Sequence, residues 1–184
     1  MVNHKIGENI PNKNWRVITM VKHQVFFSFE YNKDNWRASQ VKEMGVVSSS
    51  STFSSNDWEE VKEKNDAAIK KWIDDQMAMR ACLVVLVGKT TSSRKWIKYE
   101  IEHAMSLNKG IVGVYIHGLK DILGNQTTKG ANPFYNVQTI NGDRLSKYVQ
   151  CYDTDYSTSK YVYSDIKKNL PGLIDEAINN RFDY

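Results

Sequence analysis

The run Ala81-Cys82-Leu83-Val84-Val85-Leu86-Val87 contains no polar residue and stops at Gly88. It has the length of a strand, and it lacks the polar alternation of a strand with one wet face. A strand this apolar must be covered on both sides, which is the situation of a central strand in a parallel sheet. Ile111 to Ile116 forms a second such run. Parallel neighbours need crossover connections long enough to hold a helix. These two runs therefore predict an α/β chain with helices on both faces of the sheet.

The rest of the chain supplies the other elements. His23 to Tyr31 (His-Gln-Val-Phe-Phe-Ser-Phe-Glu-Tyr) is rich in aromatic and β-branched residues and is expected to be the first strand. Asn32 to Met44 is expected to be a helix, and Gly45-Val46-Val47 a short second strand. Ser48 to Ser55 is almost wholly Ser and Thr around Phe53, a loop composition. Asn56 with Glu59 gives a capping-box-like start to a long helix reaching Met79. In it Val61, Ala68, Ile69, Trp72, Ile73 and Gln76 recur at helical spacing. Another helix is expected from about Ser93 to Asn108, with Gly110 as its terminating glycine. Tyr148 to Tyr152 is the candidate last strand. Tyr161 to Phe182 reads as a closing helix that Pro171-Gly172 interrupts or restarts. The whole predicts an open, doubly wound parallel sheet of about five strands. Residues 1–21, polar and containing Pro11, read as an N-terminal extension, and residues 22–184 as the domain.

Composition excludes several classes. The net charge is +4, and basic residues are interspersed with acids, so no stripe for nucleic acid is visible. No apolar stretch approaches bilayer-spanning length, and no signal-peptide core is seen. Cys82 and Cys151 make no CxxC pair and no disulfide framework, which favours a reducing cytoplasm. His4, His23, His103 and His117 show no metal-ligand spacing, so no metal site is expected. No Gly-x-Gly-x-x-Gly follows the first strand, and there is no Walker motif, Gly-x-Ser-x-Gly or His-Glu-x-x-His.

In open α/β sheets ligands bind beyond the carboxyl ends of the strands. Those ends are Ser28-Phe29-Glu30-Tyr31, the Ser/Thr loop, Gly88 to Ser93 and the region after Ile116. Within the third of these the helix starts Ser93-Arg94-Lys95-Trp96-Ile97-Lys98-Tyr99-Glu100. A four-residue spacing puts the Trp96 indole and the Glu100 carboxylate on one helix face. Ile97, Ile101, Ala104 and Met105 form a separate core stripe, which leaves the Trp96–Glu100 face free for another task. The alternative on spacing alone is that Trp96 anchors the core and Glu100 is a surface acid paired with Lys95 or Arg94. Trp58, at the start of the long helix, is a lid anchor, a ligand platform or a packing residue.

The chain resembles TIR domains, and more closely the TIR-like subunits of bacterial Thoeris anti-phage systems. Val25-Phe26-Phe27-Ser28-Phe29-Glu30-Tyr31 resembles the family's opening strand, and Ser93, Trp96 and Glu100 its Ser-x-x-Trp-x-x-x-Glu helix. Lys129-Gly130-Ala131-Asn132-Pro133-Phe134 resembles a segment after the fourth strand of Thoeris-type members. The resemblance runs from about Lys22 to Arg181. The chain differs from animal adaptor TIR domains in the Ser/Thr run that replaces their proline- and glycine-bearing contact loop.

The resemblance implies a flavodoxin-like sheet and cleavage of the nicotinamide–ribose bond of NAD+, with Glu100 in the position of the catalytic glutamate. NAD+ is then the substrate, and no cofactor is called for. Glycoside hydrolysis normally needs a general acid and a second carboxylate. Nicotinamide in NAD+ leaves as a neutral molecule from a cationic one, so a single carboxylate facing an oxocarbenium-like ribose suffices. Phe29, Tyr31 and Trp58 are candidates to stack on nicotinamide or adenine, Ser28 and Arg94 to meet hydroxyl or phosphate oxygens, and Trp96 to buttress Glu100 or pack on the ribose. The resemblance further implies an ADP-ribose-derived, cyclic signal that activates a separate effector. It leaves self-association and a phage-derived trigger open. Two other classes stand beside it: a non-enzymatic TIR-like interaction module, and an enzyme like the nucleoside deoxyribosyltransferases.

Overall fold

The structure, a computed structural model, describes residues 22–48 and 64–181. Four parallel strands lie in the order β1 (Val25–Ser28), β2 (Cys82–Val87), β3 (Gly110–Tyr115) and β4 (Cys151–Tyr152). Ser28 is in register with Val85, Val85 with Gly113, and Gly113 with Cys151. Alternate residues of each strand serve opposite faces. Phe27, Val84, Leu86, Val112 and Val114 pack against α1 (Tyr31–Lys42) and the closing helix α4 (Ser159–Asn179). Phe26, Leu83, Val85, Val87 and Ile111 pack against α2 (Asp66–Ala78) and α3 (Lys95–Ser106). Every residue of β1, β2 and β3 is buried, as the unbroken apolar runs predict.

Four strands are found among the described residues, one fewer than expected. Gly45-Val46-Val47 is not a strand: Gly45 turns with φ +70, and the Ser48 amide just beyond the segment donates to the His23 carbonyl just before β1, outside any ladder. The helix expected from Asn56 falls partly outside the described residues; α2 begins at Asp66 and is capped by the Asn65 side chain, which accepts from the Ala68 amide at 2.9 Å.

Two further expectations are corrected. The left-handed residue that ends α3 is Asn108, with φ 51, and not Gly110. Gly110 opens β3, where a Cβ would stand 2.8 Å from the Ile178 amide nitrogen of α4, so glycine is required there by close helix–strand packing. Pro171 does not interrupt α4, which runs unbroken through it. The proline costs one backbone bond, but Leu170, Leu173 and Ile174 beside it are buried in the core, and this packing holds the helix in place.

Candidate functional site

The carboxyl ends of β1 and β2 converge on the first turns of α3. Ser28, the last residue of β1, is buried, and its hydroxyl donates to Glu100 Oε2. Glu100 sits in the second turn of α3 and is 7% exposed. Burial pushes its carboxyl up to about 8, and the Ser28 hydrogen bond acts in the opposite direction. Glu100 is thus neither a surface acid nor on a free face. It is buried on the same inner side as Ile97, Ile101 and Ala104. That corrects both readings of the helix made from spacing.

Glu30 lies two residues beyond Ser28, at the N-cap position of α1, and is also 7% exposed. It does not cap α1 with its side chain. Instead Oε2 accepts from the Thr90 hydroxyl and Oε1 from Arg94 Nη2. The exit of β1 therefore grips the start of α3 at two places. Ser28 holds Glu100, and Glu30 holds Arg94, whose side chain remains 43% exposed.

The other residues singled out from sequence fall as follows. Phe29, out of phase with Ser28 and Glu30, packs partly against the α1/α4 layer, with the Lys42 ammonium 4.6 Å from its ring centroid. Tyr31 lies beside it at the start of α1, ring centroids 6.4 Å apart. Trp96 is half-buried against the α2/α3 layer and meets Tyr99 edge-on at 6.1 Å. Trp58 and the Ser/Thr loop beyond Ser48 lie outside the described residues. Glu30 and Thr90 carried no expectation, although the two-residue period of a strand already put Glu30 on the Ser28 side.

Glycines and a buried ion pair fix the floor of the site. A Cβ on Gly88 would stand 2.0 Å from Asp34 Oδ2, and a Cβ on Gly130 would stand 2.1 Å from the Gly88 carbonyl oxygen. Asp34 is held by Arg37 Nη1 at 3.1 Å, and Arg37 also donates to the carbonyls of Leu119 and Asn125 at 2.9 Å each. Burial raises the Asp34 carboxyl above its usual range, while Arg37 acts to lower it. Segment 129–134 thus lies directly over the end of β2. Lys129 completes the rim, 2.9 Å from Asp153 Oδ2 and 4.3 Å above the Tyr115 ring. Among the described residues no group of three or more His, Cys, Asp or Glu side chains could hold a metal ion, and no helix is long and apolar enough to cross a membrane.

Residues 26–121, just over half the chain, match the family model of the Thoeris protein ThsB, TIR-like domain. The chain belongs to that family. Its α/β parallel sheet is accordingly the TIR-like fold. The matched span contains Ser28, Glu30, Thr90, Arg94, Trp96 and Glu100, and ends before Lys129. A curated relative from Bacillus cereus (strain MSX-D12), named "Putative cyclic ADP-D-ribose synthase ThsB1", is 34% identical over 116 residues. That alignment covers 60% of this chain and 60% of the relative's length.

Proposed function

We propose that this TIR-like domain cleaves NAD+ at the nicotinamide–ribose bond and closes the remaining ADP-ribose into a cyclic signal. The observation that carries the proposal is Glu100: a buried carboxyl held by Ser28 beyond the carboxyl end of the sheet. The ThsB family and the name of the Bacillus cereus relative support the substrate and the cyclic product.

The chemistry follows from charge. As the C1′–N bond breaks, its electron pair passes to the nicotinamide ring, which leaves neutral. The positive charge moves to the ribose. A carboxylate beside C1′ in a dry site is worth far more to that charge than one in water. Capture of C1′ by a nucleophilic atom at the adenosine end of the same molecule gives the cyclic product, and that atom's proton leaves to solvent. Capture by water gives ADP-ribose instead. Glu100 carries the charge role. Ser28 orients it, and Arg94 meets diphosphate oxygens. Tyr31 and Trp58 serve base stacking, while Phe29, packed in the α1/α4 layer, faces away from the site and does not, and Trp96 supports the start of α3.

A carboxyl that is 7% exposed and tied to Ser28 reaches a ribose only after local opening. This fits an enzyme that is silent at rest and is switched on by infection in the cytoplasm, where its product acts on a separate effector. The test is mass spectrometry of the protein with NAD+ and nucleosides, with and without lysate of phage-infected cells. Nicotinamide release with a cyclic product supports the proposal. Base exchange on nucleosides with NAD+ untouched contradicts it, as does the absence of turnover under every condition.

A further inference from the structure

Ser28 and Glu30 are two residues apart, yet they hold residues six apart at the start of α3. Each carboxylate oxygen of Glu30 has its own donor, Thr90 on Oε2 and Arg94 on Oε1. Thr90 belongs to the turn after β2, and Arg94 is the N-cap residue of α3. One buried carboxylate thereby ties three segments together at the mouth of the site. A guanidinium has five N–H donors, and the Glu30 contact uses one of Arg94's, on a side chain that is 43% exposed. The remaining donors are available for an anion at the rim.

We propose that Glu30 is a positioning residue: it holds Arg94 at the rim, where the guanidinium receives the diphosphate of a dinucleotide. This rests on the reading of the site as a dinucleotide site and assigns its diphosphate end. The cationic and anionic parts of such a ligand are then handled separately. Ser28 and Glu100 face the ribose that becomes cationic, and Glu30 and Arg94 manage the charge of the diphosphate. The planar fork of arginine suits two neighbouring phosphate oxygens better than a lysine would.

Calorimetric binding of ADP-ribose reads this without any turnover. Glu30→Gln and Arg94→Gln are each expected to weaken binding about tenfold, and the double variant is expected to be no weaker than Arg94→Gln alone, because both changes remove one interaction. Adenosine, which lacks the diphosphate, is expected to bind all four proteins equally. Thermal melts check folding. Arg94, being half-exposed, keeps the test open if Glu30→Gln fails to fold. Losses that add in the double variant, equal losses toward adenosine, or a wild-type protein that does not bind ADP-ribose would each overturn the proposal. A wild-type protein that cleaves NAD+ while neither substitution moves ADP-ribose affinity leaves the cleavage reading standing and removes the clasp. One that binds ADP-ribose through Arg94 yet never cleaves NAD+ does the reverse.

Discussion

The Ser28 hydroxyl and the Glu100 carboxylate meet across 72 residues of chain, at the point where β1 ends and α3 begins. Ser28 is placed by strand register and Glu100 by helix phase, so two different periodicities aim at one hydrogen bond. Both side chains are buried, and burial pushes the carboxyl up to about 8.

The first prediction concerns pH and rate. At pH 7 the free protein carries Glu100 mostly protonated. A cationic nicotinamide favours the ionised form, so NAD+ binding releases a proton. The value of kcat/KM is expected to rise about tenfold per pH unit below 8 and to level off above it. Calorimetry of binding in buffers of different ionisation enthalpy would detect the released proton. A flat profile from pH 6 to 9 contradicts the placement of this carboxyl at the reacting centre.

Stability should move in the opposite sense. The ordinary value for a glutamate is 4.5, and the folded value is raised to about 8. Between these values the folded protein keeps a proton that the unfolded chain has released, so stability falls as pH rises through that window. The cost accumulated by pH 7 is on the order of 3 kcal/mol. Glu100→Gln removes it. The variant should match wild type near pH 4.5 and melt several degrees higher at pH 8. Denaturation curves at the two pH values check this.

Removing the hydroxyl alone gives a separate signature. Ser28→Ala deletes the hydrogen bond that favours the ionised carboxylate, so the Glu100 carboxyl should climb further. Activity at pH 7 is then expected to fall several-fold and to recover as pH is raised, with the ascending limb displaced to the alkaline side. Ser28→Thr, which keeps a hydroxyl, should lose less.

The floor of the site tolerates no side chain. At Gly130 a Cβ would meet the Gly88 carbonyl, a backbone atom that cannot swing away. At Gly88 it would meet Asp34, which Arg37 pins in place. Gly130→Ala and Gly88→Ala are each expected to cost about 2–3 kcal/mol by overpacking. Gly124→Ala serves as a comparison in open space, where the positive φ of 83 is the source of strain. Urea denaturation of the three variants checks the order.

The layered sheet was legible because an unbroken apolar strand has few alternatives. Ala81–Val87 could only be covered on both faces, and Cys82–Val87 is. The Gly45–Val47 strand was misread because a short β-branched pair after a turn looks the same whether or not it finds a ladder. Gly110 was misread because glycine serves both helix termination and close packing, and only the position of α4 separates the two. Glu100 could be singled out from its helix motif. Its burial could not be foreseen, because a three- or four-residue helix period does not say how deep the adjoining face sits. The phase of β1 pointed toward Glu30, but its partners Thr90 and Arg94 arrive from a turn some 60 residues on, and that juxtaposition is a property of the fold.

The most direct measurement is nicotinamide release from NAD+ by wild type and by Glu100→Gln, both activated with lysate of phage-infected cells and both confirmed folded. Cleavage through Glu100 predicts release by wild type and a drop of about a thousandfold or more in the variant, in line with the loss of a main electrostatic contribution. Undiminished release by Glu100→Gln would contradict it.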